Sequence, residues 1–348
     1  MKKVTIFGVA ILALAACNKS QTVSVPEQSG EIAIKAVNAA QTKGGEIAGT
    51  TFAGTNTMKV SASAEEQDIY FTNVAFTKDE TDGRWKANPT KQYWPAGEKR
   101  VDFLAYGLKT DATLGVEPAF DATRPADMLT VANWDVYQSQ VDFLYAAANN
   151  KFKDGPVSPV AMTFQHATAL LIFNFRVSQG PDITITNIKF PKLVKQGTAV
   201  IDNTKTKLQL SWAPADAAEN VSFPDATTVT AKSDYNVPEK TGLTYGTLQY
   251  TNSLIGYGNK YVLASETGAE KGWYQLEDSF LIVPQERQSF IISYKIGTDD
   301  TVHTFESNLE KGEWKAGNIY FYNIDFNLRE ITIAPSVAEW TVGVTEEI

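Results

Sequence analysis

The chain has 348 residues, 43% of them hydrophobic and 11% aromatic, with 40 acidic against 31 basic side chains and a formal charge of −9. That apolar share excludes a disordered protein, and the acidic balance argues against nucleic acid as a partner. A single cysteine excludes any disulfide within the chain, and at ~150 residues per domain the length suggests two domains, each able to bury its own core.

Lys2 and Lys3 precede the apolar run Val4 to Ala16. The run is short of the ~20 residues that cross a bilayer, so residues 1–16 read as a signal peptide. Its end, Leu14-Ala15-Ala16-Cys17, resembles the bacterial lipobox, in which the cysteine thiol is diacylated, the peptide is cut before it and the new amino terminus is acylated. Cys17 is therefore the expected lipidation residue. Residues 17–30 are polar and aperiodic and read as a tether.

Glu31 to Val37 alternates, with Ile32 and Ile34 on one face, and predicts a first strand. Asn38 to Ala64 is rich in Ala, Gly, Thr and Ser, and predicts a loop or a weakly held extended segment. Asp68 to Phe76 resumes β alternation and runs into the hairpin signal Asp82-Gly83, with Trp85 opening the return strand. Asp79, Glu80 and Asp82 lack the ligand spacing of an EF-hand, so a solvated turn explains them. A strand follows in VDFLAY (101–106), a weak helical pattern in Arg124 to Trp134 with Pro125 in its first turn, and a strand from Asp142 to Ala146.

Gly155-Pro-Val-Ser-Pro159 marks the expected boundary, because its prolines cannot donate to a central ladder. It divides the chain into a first β-sandwich over 31–156 and a second over 157–348. The second half holds strand patterns at Ala169–Val177, Ile183–Phe190, Lys207–Leu210, Phe280–Val283, Ser289–Ile296 and Thr301–Glu306. The intervals 214–234 and 241–272 read as surface loops or edge hairpins. In the last strong strand Tyr320, Tyr322, Ile324, Phe326 and Leu328 share one face and Asn323, Asp325 and Asn327 the other, which predicts a half-buried strand. Beyond it Ile331–Ala334 and Trp340–Thr345 alternate on either side of Pro335. Many short strands and little helix make an all-β protein of two sandwiches.

Residues able to do chemistry are scarce. His166 and His303 are the only histidines, and there is no HExxH, no paired-cysteine spacing, no GxSxG elbow, no P-loop and no GxGxxG. No catalytic, metal or cofactor residue is assigned, and the sequence makes no case for an enzyme. Seven tryptophans (85, 94, 134, 212, 273, 314 and 340) leave a second reading open, a surface lipoprotein that binds glycans by stacking; plugging sandwich cores is their commoner use.

Several landmarks then line up in order: the lipobox at Cys17, Tyr93-Trp94-Pro95 with VDFLAY after it, Asp142-Phe-Leu-Tyr-Ala146, and Phe164-Gln-His-Ala-Thr-Ala-Leu170. Trp314-Lys-Ala-Gly-Asn-Ile-Tyr320 and Ile333-Ala-Pro-Ser-Val-Ala-Glu-Trp340 complete the set. Together they resemble the fimbrillin-like proteins of Bacteroidales, the type V pilins and their accessory subunits. The resemblance implies two tandem transthyretin-like antiparallel β-sandwich domains, export as an outer-membrane lipoprotein, and assembly with other pilin subunits, of the same or a related kind, into a surface fimbria that contributes to adhesion. It implies a trypsin-like maturation protease that removes an N-terminal strand, after which C-terminal strand material of a neighbour fills the vacated groove. Repeated head to tail, this makes an open filament.

The chain departs from the pattern in having no arginine before Arg84. Lys35 stands where arginine is usual, and Lys43 lies in the Gly-rich stretch after it; these two are the candidate maturation sites. A strand that is retained would instead suit a basal or otherwise non-stalk subunit. The candidate donor is the tail, 331–348, with Ile331, Ile333, Val337, Trp340, Val342 and Val344 as its anchors.

Overall fold

The computed structural model describes residues 30–37, 56–109, 112–153, 159–177, 180–215, 219–223, 229–231, 248–250, 261–263, 274–275, 280–327 and 330–339. The signal peptide, Cys17, Lys43, Leu328, Trp273, Trp340, Val342 and Val344 lie outside the described residues.

The first half contains β1 (Ala33–Val37), β2 (Asn56–Ala64), β3 (Gln67–Lys78), β4 (Trp85–Ala87), β5 (Val101–Lys109), β6 (Ala119–Phe120), β7 (Met128–Asp135), a one-turn helix α1 (Val136–Ser139), β8 (Leu144–Lys151), β9 (Val160–Thr163) and β10 (Gln165–His166). Eight of these strands form one sheet in the order β10-β8-β5-β2-β3-β4-β1-β9. Its outermost strands, β9 and β10, are separated in sequence only by Phe164, so the sheet must roll until its two edges meet. Phe164 is buried at that seam, in the same core as Ile34, Met58, Phe76, Trp85 and Phe103.

Two expectations for this half are corrected. Asn56–Ala64 is not a weakly held segment but β2, a strand in the middle of the sheet. Met58, Val60, Ala62 and Ala64 face the core, and the buried hydroxyls of Ser61 and Ser63 accept hydrogen bonds from the Asn73 and Ala126 amides. Small side chains suit a strand covered on both faces, provided their polar atoms are satisfied. The helical pattern of 124–134 belongs to a bulged strand: Pro125 sits in a turn and Met128–Asp135 is β7. Leu129, Val131 and Trp134 are all fully buried although their spacing breaks a period of two. A register shift opposite Gly197 and Ala199, with Asn133 at φ 53, inserts the extra residue and mimics a helical repeat.

The second half contains β11 (Ala169–Val177), β12 (Ile183–Leu193), β13 (Gln196–Asp202), β14 (Gln209–Pro214), β15 (Glu219–Phe223), β16 (Val229–Ala231), β17 (Leu248–Tyr250), β18 (Tyr261–Leu263), β19 (Tyr274–Gln275), β20 (Phe280–Ile282), β21 (Gln285–Glu286), β22 (Ile291–Ile296), β23 (His303–Glu306), β24 (Glu313–Trp314), β25 (Asn318–Phe326) and β26 (Ile331–Glu339). One sheet runs β19-β11-β25-β26, with β20 also on β11, and faces a second that runs β15-β12-β22-β23, with β16 on β12. Aromatic rings fill the space between them, with Phe173 edge-on to Phe290 at 5.0 Å and stacked on Tyr322 at 5.3 Å. The sheets are not purely antiparallel, since β11 pairs with β25 in parallel over eight residues and β1 with β9 over four.

A third core joins the halves. The outward face of the first sheet (Leu104, Tyr106, Tyr145) meets the outward faces of β11 and β25 (Leu170, Ile172, Ile319, Phe321), and Trp134 and Phe143 lie among them. Hence β25 is buried on both faces rather than one. Its inner polar residue, Asn323, is satisfied by accepting from Asn174 Nδ2 at 2.9 Å and donating to the Ala334 carbonyl at 3.0 Å. The sheet β14-β13-β7-β6 draws strands from both sides of residue 156, and β9 and β10 beyond it belong to the first sheet. The ladders therefore change over between His166 and Ala169. Gln140, buried after α1, reinforces the junction by accepting from the Leu281 amide at 2.9 Å and donating to its carbonyl at 3.0 Å.

Candidate functional site

β1 is an interior strand made from the first described segment of the chain. On one side it pairs antiparallel with β4 through Ala33 and Ile34, and on the other it pairs parallel with β9 from Ile34 to Val37. Before it, the Ile32 amide donates to the Gln92 carbonyl and the Trp94 amide to the Gly30 carbonyl. Alternation places Ile32, Ile34 and Ala36 in the first core, while Lys35 is exposed on the other face. Burying the two isoleucines contributes about 1.5–3 kcal/mol each, an upper range because the unfolded chain is already compact. Among the described strands, β9 has no ladder partner except β1. Without β1, a groove would lie open between β4 and β9, lined by the core positions that Ile32, Ile34 and Ala36 occupy.

The peptide bond after Lys35, one of the two candidate maturation sites, lies within this ladder. A serine protease binds its substrate as an extended strand along its own cleft, and a paired strand cannot supply that edge. The exposed Lys35 side chain is thus easier to reach than its peptide bond.

The tail is docked on its own subunit as far as Glu339. β26 pairs antiparallel with β25 over nine residues, from Phe326 opposite Ile331 to Asn318 opposite Glu339. Pro335 does not divide it in two: β26 is an outer strand of the sheet, where a missing amide is tolerated. Ile331 and Ile333 pack against the second core, while Val337 is half exposed. Asn323 bonds the β26 backbone and so holds its register.

His166 is buried, with Nδ1 2.9 Å from Asp142 Oδ1. His303 stacks on Tyr294 at 5.6 Å. The acidic hairpin is closed by Lys86, whose Nζ lies 2.7 Å from both Asp79 and Asp82. That contact, followed by the Thr81 amide, draws the Asp79 carboxyl down to about 2. No group of three or more residues suited to a metal occurs among the described residues. Trp85, Trp94, Trp134 and Trp314 are buried in the cores, as sandwich plugs are. Trp212 is partly exposed and lines a cleft of about 500 Å³ between the rolled sheet and the strands β14, β21 and β24, which nothing in the pattern of the chain announced.

A family model described as fimbrillin-like matches residues 35–340. Among solved structures, a fimbrial protein from Bacteroides vulgatus is 14% identical, with a TM-score of 0.52 over 89% of this chain and 99% of that one. A candidate cell adhesion protein from Bacteroides ovatus is 15% identical, with a TM-score of 0.50 over 92% of this chain and 99% of that one. At such identities the likeness is one of fold. No curated protein matches the chain.

Proposed function

The chain belongs to the fimbrillin-like family, and on that premise we propose that it is a structural subunit of a cell-surface fimbria, exported as a lipoprotein through Cys17 and assembled with other subunits by strand exchange. The observation that carries the reading is β1: a short strand next to the tether, paired on both sides, whose apolar side chains complete a core that the rest of the sheet leaves open. Such a strand is a placeholder. Cutting in the stretch that follows it, at Lys43, lets β1 leave with the tether and the lipid, and frees the groove for a neighbour.

The donor is the end of the tail. Trp340, Val342 and Val344 repeat the two-residue spacing of Ile32, Ile34 and Ala36, so they can enter the same core positions while β26 stays on its own sheet. Backbone hydrogen bonds to β4 and β9 supply affinity, and the alternating side chains supply register. The contact is heterologous and propagates into a filament.

The test is trypsin treatment of the purified precursor followed by electron microscopy, on the full chain and on a chain ending at Glu339. Fibres from the first and folded monomers from the second are expected. Fibres from the shortened chain, or only monomers from a full chain cut at Lys43, would refute strand exchange.

A further inference from the structure

We propose that the cleft beside Trp212 binds a neutral or amino-sugar unit of a glycan. Its volume of about 500 Å³ is that of a small-ligand pocket. Its apolar wall comes from alternate residues of one strand and its approach, Leu208, Leu210 and Trp212. The indole of Trp212 is held in place before any ligand arrives: its Nε1–H donates to the Ala167 carbonyl at 2.9 Å, and the ring packs on Trp134 at 5.3 Å. A fixed aromatic face loses little freedom on binding, and the flat C–H face of a pyranose fits it.

The rim is polar. Glu286 and Glu313 lie directly opposite one another across the β21–β24 ladder and both are exposed. Neither carboxylate has a hydrogen-bond or ion-pair partner among the described residues. Like charges facing across a ladder cost stability, and this two-residue pairing of strands distant in sequence holds the two carboxylates side by side at the rim. The carboxylates are acceptors for sugar hydroxyls, and the exposed ammonium of Lys315 and amide of Gln165 are donors. Two carboxylates against one ammonium disfavour sialic and uronic acids. The inference stands whether or not the subunit polymerises by strand exchange, because the cleft is formed within one chain and no residue of β1 lines it.

The experiment is a glycan array probed with the purified full-length protein, carrying neutral, N-acetylhexosamine-containing and sialylated oligosaccharides, followed by calorimetric titration of the strongest hit. Binding is expected for neutral or amino-sugar glycans over sialylated ones. Trp212→Ala is expected to weaken it at least tenfold, and the double variant Glu286→Gln, Glu313→Gln about tenfold. Because both glutamates are exposed and face one another, the double variant is expected to melt no lower than the parent and remains informative if Trp212→Ala unfolds. An array without hits, a preference for sialylated glycans, or affinity unchanged in the double variant would each overturn the proposal. So would capture of an extended peptide in the cleft with no glycan bound.

Discussion

Replacing Ile34 by alanine tests whether β1 is structurally essential to the first sheet. Ile34 is fully buried and is the one residue of β1 with a Cα partner on both sides, Trp85 in β4 and Val160 in β9. Truncating a buried isoleucine costs about 2–5 kcal/mol, the transfer of its carbons plus the cavity they leave. With a urea slope of about 2 kcal/mol/M, a loss of about 3 kcal/mol lowers the unfolding midpoint by about 1.5 M. Lys35→Ala, one residue on but exposed, should change stability by no more than about 0.5 kcal/mol. The loss should also be local. Since β9 is paired only with β1 among the described strands, the amides of Ala161 and Thr163 should exchange faster in Ile34→Ala while those of β25 keep their protection. A midpoint shift no larger than that of Lys35→Ala, or equal loss of protection in β25, would refute the reasoning.

Asn323→Ala removes the partner of Asn174 Nδ2 and the bond to the Ala334 carbonyl, at a cost of about 1–3 kcal/mol; hydrogen exchange across β26 should accelerate well before global unfolding. Asp79 titrates at about 2 in the folded chain, below its ordinary 3.8. The stabilisation it contributes is therefore present above pH 4 and is lost as the pH falls through about 2. A carboxylate NMR titration of Lys86→Ala should move that midpoint upward only part of the way, because the Thr81 amide still donates to Asp79 at 2.9 Å. Gly197→Ala would bring its Cβ to 2.9 Å from the Ala213 carbonyl and 3.2 Å from the Trp212 ring. Thermal melting should show a loss of about 1–3 kcal/mol, and near-ultraviolet circular dichroism a change from the Trp134–Trp212 pair.

Local pattern located β1, β3, β5, β11 and β25 because each alternates or is continuously apolar over its own length, and a side chain's face depends only on its place in the strand. The same logic misread β2, whose small residues carry little hydrophobic signal of their own, and β7, whose bulge at Asn133 shifts Trp134 out of phase. It also assigned β25 one buried face, since Asn323 and Asp325 look solvated until a second sheet and Asn174 are brought against them. The Trp212 cleft was illegible for the same reason: its walls come from residues between 145 and 316.

The all-β composition, the strand-forming Glu31–Val37 with its two inward isoleucines, and the alternating tail were determined by the amino-acid sequence alone, because backbone periodicity is a local property. Tertiary structure decided which strands are neighbours. Parallel pairing of β11 with β25 joins residues about 150 positions apart, and closing such a contact depends on loop entropy and on the packing of three cores rather than on any short window. It also decided that β1 sits between β4 and β9, which turns an ordinary first strand into the piece whose departure would open the sheet.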